Sequence, residues 1–228
     1  HSVTVSSDAM GSLTLHGHGG GSATSNMDAT AAGNVWDTFD GIGLATGVTH
    51  TNSAPGNNSL NYTMPTIMDG VAVALSYKPQ QSNSSTIDSG TGYAVTYTGV
   101  EGLTLVYSSS DIVGSTGALS GDQTAWKASY AYGPVTATVT QSEYDVTTTT
   151  SDQDVSSMAV SYTISDEMSV TYGTETIEST NTGHVDAEYD VIKGSYTAGG
   201  MTVSAQRKTA ENVDHSTNNN ADLEYWGD

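Results

Sequence analysis

The chain has no cysteine, four prolines, a single phenylalanine and only five basic residues among 228. Each scarcity removes a class of protein. Without cysteine, neither disulfides nor thiolate metal centres can hold the fold. Five bases against 25 acids leave a formal charge of −20, which repels DNA, RNA and anionic inner-leaflet lipid alike. No run approaches the roughly 20 apolar residues that a spanning helix requires. Membrane strands remain open, because they give only a weak hydropathy signal in segments of about 10 residues. Catalytic signatures are missing too: there is no G-x-S-x-G, H-E-x-x-H, P-loop or dinucleotide-binding glycine pattern, and the chain is not read as an enzyme.

What the sequence does contain is a two-residue beat. Val71, Val73, Leu75 and Tyr77 share one face, then Tyr93, Val95 and Tyr97, then Leu103, Leu105 and Tyr107, with Thr, Ser, Ala and Gly between them. Period two means strand. The polar face is small and weakly charged while the apolar face carries aromatics near its ends, which suits a wall with lipid on one side and water on the other. The chain is therefore read as all-β, a transmembrane antiparallel up-and-down β-barrel with about 13 strands present.

Short connections near residues 99–102, 133–134, 165–167 and 199–200 join successive strands, and longer polar segments near 79–90, 110–121, 145–154, 176–184 and 209–219 separate the hairpins. This alternation belongs to a meander with turns at one rim and loops at the other. One stretch breaks the rhythm. Residues 19–58, rich in Gly, Ala, Asn and Asp, form a connection far longer than the others, and loops of that length are usually functional or disordered. The competing reading of the same period is an acidic cell-surface structural or adhesive β-protein, such as a solenoid or surface-layer module. A soluble monomer without detergent would favour it.

Three stretches carry a resemblance: GSLTLHGHGGG at residues 11–21, NVWDTFDG at 34–41 and LNYTMPTIMDGVAVALSYKP at 60–79. Together they resemble the general porins of alphaproteobacteria, and GLTLVYSSS and AWKASYAYGPVTATVTQSEYD continue the likeness more weakly. The resemblance implies a homotrimer of 16-stranded, water-filled pores in the bacterial outer membrane, contacting lipid and lipopolysaccharide and passing small hydrophilic solutes. It implies that residues 1–228 form one barrel domain lacking its N-terminal strands, and that residues 19–58 fold inward as a constriction loop. Surface-exposed barrels of this kind also serve as phage receptors, although no loop residue here identifies such a partner.

Alternation assigns faces without the resemblance. With Val71 to Tyr77 facing lipid, Lys78 faces the lumen, and the same rule turns Lys127 and Lys193 inward. A lysine at a lipid-facing midplane position would cost about 2–4 kcal/mol. His16 and His18 share a face with Thr14 and are read as lumen-facing. Such a pair can ligate zinc, but no third ligand completes a site. Within an inward loop, Asp28, Asp37 and Asp40 would oppose the basic wall and set up a transverse field, with Trp36 and Phe39 as apolar anchors. The acid groups Asp152/Asp154, Asp186/Glu188/Asp190 and Asp222/Glu224 offer oxygen to loosely bound calcium, yet they lack the spacing of a calcium loop, and no cofactor is expected. Net charge points to a weak cation preference.

Overall fold

In a computed structural model of the protein, residues 1–39, 57–79, 87–114, 120–147, 152–217 and 222–227 are described. Among them, 13 strands lie in one sheet in sequence order. They are β1 (Ser2–Ser7), β2 (Gly11–His16), β3 (Ser59–Thr63), β4 (Val71–Lys78), β5 (Ile87–Tyr97), β6 (Leu103–Gly114) and β7 (Gly121–Tyr132), followed by β8 (Val135–Val146), β9 (Gln153–Ser165), β10 (Met168–Ser179), β11 (Ala187–Ala198), β12 (Met201–Glu211) and β13 (Leu223–Gly227). No helix among the described residues is long and apolar enough to cross a membrane.

Two compact units make up the chain. The first comprises His1–Asp28, Thr51–Trp126 and Ser142–Asp152, the second Ala29–His50, Lys127–Gln141 and Gln153–Asp228. In the first, the register aligns Leu13, Tyr62, Leu75 and Tyr93 in one row across β2 to β5, on a face open to the surroundings. In the second, Val160, Tyr172 and Ile192 form an equivalent row across β9 to β11. Large apolar side chains are thus exposed while serines, a lysine and a glutamate are buried, the reverse of a water-soluble sheet protein.

Arg207 alone among the five basic residues points to the apolar face of its strand. Its Nε donates to Glu224 Oε1 at 2.9 Å, the Trp226 Nε1 donates to the same oxygen at 2.5 Å, and the guanidinium lies 5.7 Å from the Trp226 ring centre. A paired, ring-covered cation carries a smaller desolvation penalty than a bare one.

Two features depart from the sequence reading. The strands run further into the polar segments than alternation indicates, β6 to Gly114 and β10 to Ser179. Above the apolar band Asp111, Thr176 and Glu178 replace the outward hydrophobics, so the pattern fades while the backbone ladder goes on pairing. The second unit also has an apolar core on its covered face, where Val155, Ile177, Tyr189 and Val191 pack against Val35 and Phe39 of the β2–β3 connection. Alternation predicts a small, weakly charged polar face there, a requirement that the covering segment removes.

At the loop ends of the second unit, His215 (4% exposed) stacks on His184 with ring centres 4.9 Å apart and planes within 10°. Its Nδ1–H donates to the Val185 carbonyl at 2.8 Å, and the Val185 N–H donates back to the His215 carbonyl at 3.2 Å. Burial pushes the His215 imidazole below its ordinary range, and the neighbouring His184 adds to this, against smaller opposing effects from the Val185 bond, Asp186 and Asp214. The unfolded residue takes its proton near the ordinary value of about 6.5 and the docked residue only at lower pH. The docking is at full strength above that value and weakens as pH falls through it. Val185 amide protection, corrected for intrinsic exchange, should therefore drop on acidification from pH about 8 to about 5. His215→Asn, which keeps a donor at a residue with φ of 56°, should flatten the dependence.

Candidate functional site

The connection between β2 and β3 is fastened to the sheet face opposite the exposed apolar rows. In the first unit, Ser22 and Thr24 are buried and share a hydroxyl hydrogen bond of 2.8 Å, and the short helical turn Ser25–Asp28 follows. Asn26 Nδ2 donates to Ser108 Oγ at 2.9 Å. Thr24 lies over Gly92, where an added Cβ would come within 2.9 Å of the threonine methyl. A side chain at 92 would lift the segment from the wall.

In the second unit the fastening is denser and centres on Glu175 of β10, which is 1% exposed. The Thr30 hydroxyl donates to Glu175 Oε2 at 2.5 Å, and the Trp36 N–H donates to Oε1 at 3.2 Å. Thr30 and Asn34 close a ring in which each backbone N–H donates to the other's side-chain oxygen at 2.9 Å. Asn34 holds a left-handed conformation with φ of 55°, which asparagine tolerates. The turn Val35–Thr38 follows it directly. Between these anchors the Ala31 N–H donates to Thr140 Oγ1 at 3.0 Å and the Ala32 N–H to Ser157 Oγ at 2.9 Å. Ala32 also sits over Gly173, where a Cβ would meet its methyl at 2.9 Å. Beyond the turn, Lys208 Nζ donates to Thr38 Oγ1 at 2.5 Å and Phe39 stacks on Tyr189, ring centres 6.1 Å apart. Backbone donors that a loop would ordinarily give to water are thus satisfied by the wall.

The residues singled out in the sequence are distributed as follows. Phe39 is buried, and Trp36 is half-buried against the apolar core. Asp37 is exposed on the turn, where it and Glu175 attract the Lys208 charge and Lys193 repels it. Asp28, half-buried, ends the first helical turn, and Asp40 lies outside the described residues. Lys78 is buried on the covered face of β4, Lys127 is half-buried beside Ala125 on β7, and Lys193 is exposed on β11, opposite Thr171 and Gln206. His16 is half-buried and pairs with Ser2 and Ser59, whereas His18 is exposed. Asp37, Lys193 and Lys208 thus share a neighbourhood. Among the described residues, no three His, Cys, Asp or Glu side chains come together as a metal site, the calcium candidates included.

Glu175, Lys208, Gly92 and Gly173 were not singled out, although two signals were available. Parity turns Glu175 and Lys208 to the covered face, as it does Lys193. Gly92 and Gly173 stand mid-strand at that parity, where a missing side chain commonly marks the close approach of another backbone.

A sheet with its large apolar side chains exposed and a chain segment bound to the opposite face defines a membrane β-protein of the channel-forming kind. The family model described as Gram-negative porin matches residues 1–215, and the chain belongs to that family. Among solved structures it is similar to the anion-selective porin from Comamonas acidovorans, with 15% identity and a TM-score of 0.70 over 99% of this chain and 71% of that one. It is also similar to Salmonella typhi OmpF in a complex with daunomycin (14%, TM-score 0.69, 99% and 77%) and to OmpT of Vibrio cholerae (16%, TM-score 0.59, 92% and 69%). The structural likeness shows the fold alone. Comparison with curated protein sequences gives no match. The protein is a porin of the bacterial outer membrane, a membrane-associated channel protein and not an enzyme.

Two substitutions test the fastening. Glu175→Ala leaves the Thr30 hydroxyl and the Trp36 N–H without their acceptor, at about 1–3 kcal/mol for each buried group. Residues 30–39 should become accessible to limited proteolysis while strand content by circular dichroism stays unchanged. Gly173→Val should give the same loosening by steric displacement of Ala32, with Glu175 intact.

Proposed function

We propose that the protein forms a water-filled channel for passive diffusion of small hydrophilic solutes and ions, narrowed by residues 19–58 folding inward. The observation that carries this reading is the fastening of residues 22–39 to the sheet face opposite the lipid-facing rows, through Asn26, Glu175, Lys208 and Phe39. A segment that merely covered the outside of the molecule would not need the wall's polar face.

In this reading the complete fold is a closed barrel of 16 strands, as in the general porins of alphaproteobacteria, and it assembles as a homotrimer in contact with lipopolysaccharide. Closure follows from physics: an open sheet edge in hydrocarbon leaves backbone groups unpaired at several kcal/mol each. On this reading Asp28 and Asp37 contribute acid to the passage, as Asp40 would, Lys78, Lys127 and Lys193, with His16 and His18, contribute to its polar lining, and Trp36 and Phe39 hold the segment down. Opposed charges across a narrow opening order water and favour polar over apolar solutes. Membership of a porin family leaves the adhesive or surface-layer reading without support.

Purified protein in planar bilayers should give discrete ohmic conductance steps, and a folded, inserted protein that stays silent would overturn the reading. Removal of residues 26–40 should raise single-channel conductance and admit larger sugars. Reversal potentials in a salt gradient are expected to show weak cation preference; a clear anion preference would mean that local charge at the constriction outweighs the net charge of −20.

A further inference from the structure

In the first unit, a cavity of about 180 Å³ lies between residues 23–26 and the wall of β3 to β6. Its floor is made of methyl groups, those of Ala72, Ala74 and Ala94, and its edge carries Ser25, Asn26, Thr63 and Thr96. The register explains the arrangement. Ala72 pairs with Thr96, and Thr63, Ala74, Ala94 and Ser108 form the next row on the same face, to which Asn26 binds. One row further, Asn61, Ser76, Gly92 and Ser110 are aligned. Asn61 Oδ1, Ser76 Oγ and Ser110 Oγ are buried there without a hydrogen-bond partner, with Ser76 and Ser110 only 8% and 3% exposed. Successive same-face rows are about 7 Å apart along a strand, within reach of a hydroxyl relayed through one water.

No charged side chain lines the cavity. An ion would lose hydration there and gain no counter-charge. A hydrocarbon would strand the hydroxyls and the amide at the edge. What fits both surfaces is a molecule with C–H groups on one side and hydroxyls on the other. Resting on the channel reading above, we infer that this niche is a binding subsite for a small uncharged polyol of monosaccharide size. Its carbon face lies on Ala72, Ala74 and Ala94, and its hydroxyls bond Ser25, Thr63, Thr96 and the free capacity of Asn26. Charged solutes pass along the acid- and lysine-bearing surfaces, and uncharged ones are held briefly beneath the segment. Binding must be weak, in the millimolar range or on the order of 4 kcal/mol by standard conversion, because a tight site would block the passage.

D-glucose serves as the probe, with the full natural protein. Saturation-transfer NMR in detergent should show binding, and uptake into proteoliposomes should saturate with concentration. Ala94→Leu fills the floor and should weaken half-saturation at least about tenfold, in line with the discrimination a hydrophobic pocket gives per added methylene. Thr96→Val removes one hydroxyl at nearly constant shape and serves if the leucine variant does not fold. It should weaken binding several-fold. Uptake linear in concentration together with absent binding overturns the subsite and leaves the channel standing. Saturation that neither substitution changes also overturns it, because the site is then elsewhere. Binding that both substitutions weaken, in a protein that conducts nothing, upholds the subsite and overturns the channel reading.

Discussion

The structure depends on one constraint: in hydrocarbon a backbone N–H or C=O has no water to bond, so each must find a partner in the protein. Thirteen strands hydrogen-bonded in sequence order meet that demand between neighbours. Once the ladder is fixed, the pleat sends alternate side chains to opposite faces, and exposed leucines and tyrosines alternate with small polar residues. The absence of cysteine and the scarcity of proline are compatible with this arrangement, because regular pairing needs no covalent staple and proline would remove a ladder donor.

The segment between β2 and β3 meets the same demand by another route. Among its described residues it has only short helical turns of its own, and backbone donors of Ala31, Ala32 and Trp36 are taken up by Thr140, Ser157 and Glu175 of the wall. Ordering such a segment costs roughly 1–2 kcal/mol per residue in backbone entropy. The Thr30–Asn34 ring, the Phe39–Tyr189 stack and the apolar contacts of Val35 offset that cost locally. Glycines at 92 and 173 let the chain approach closely enough for the hydrogen bonds to form. The Glu175 carboxyl accepts from the Thr30 hydroxyl and the Trp36 N–H, which fixes the segment geometrically as well as energetically.

Period two, read from Val71 to Tyr77 and from Leu103 to Tyr107, together with the turn signals between such runs, was enough to establish strands, their approximate number and which side chains share a face. That signal is strong because one face meets lipid, and a slip by one residue would reverse every side chain. It faded above the apolar band, where Asp111, Thr176 and Glu178 took the outward positions although the ladder continued. The apolar patch of Val155, Ile177 and Val191 was invisible for a related reason: alternation says which face a residue takes, not what covers that face.

Pairing between residues 145 positions apart, as for Thr30 and Glu175, leaves no local trace in a sequence. The sequence by itself determined the chain's membrane class, its strand periodicity and the side on which Lys78, Lys127 and Lys193 lie, since these follow from backbone geometry and the two solvents it separates. Only the tertiary structure decided that Glu175 and Lys208 bind the β2–β3 segment, that Gly92 and Gly173 admit it, and that a methyl-floored cavity remains beneath it. Those facts depend on which distant strands come side by side, and that is set by register and packing across the sheet.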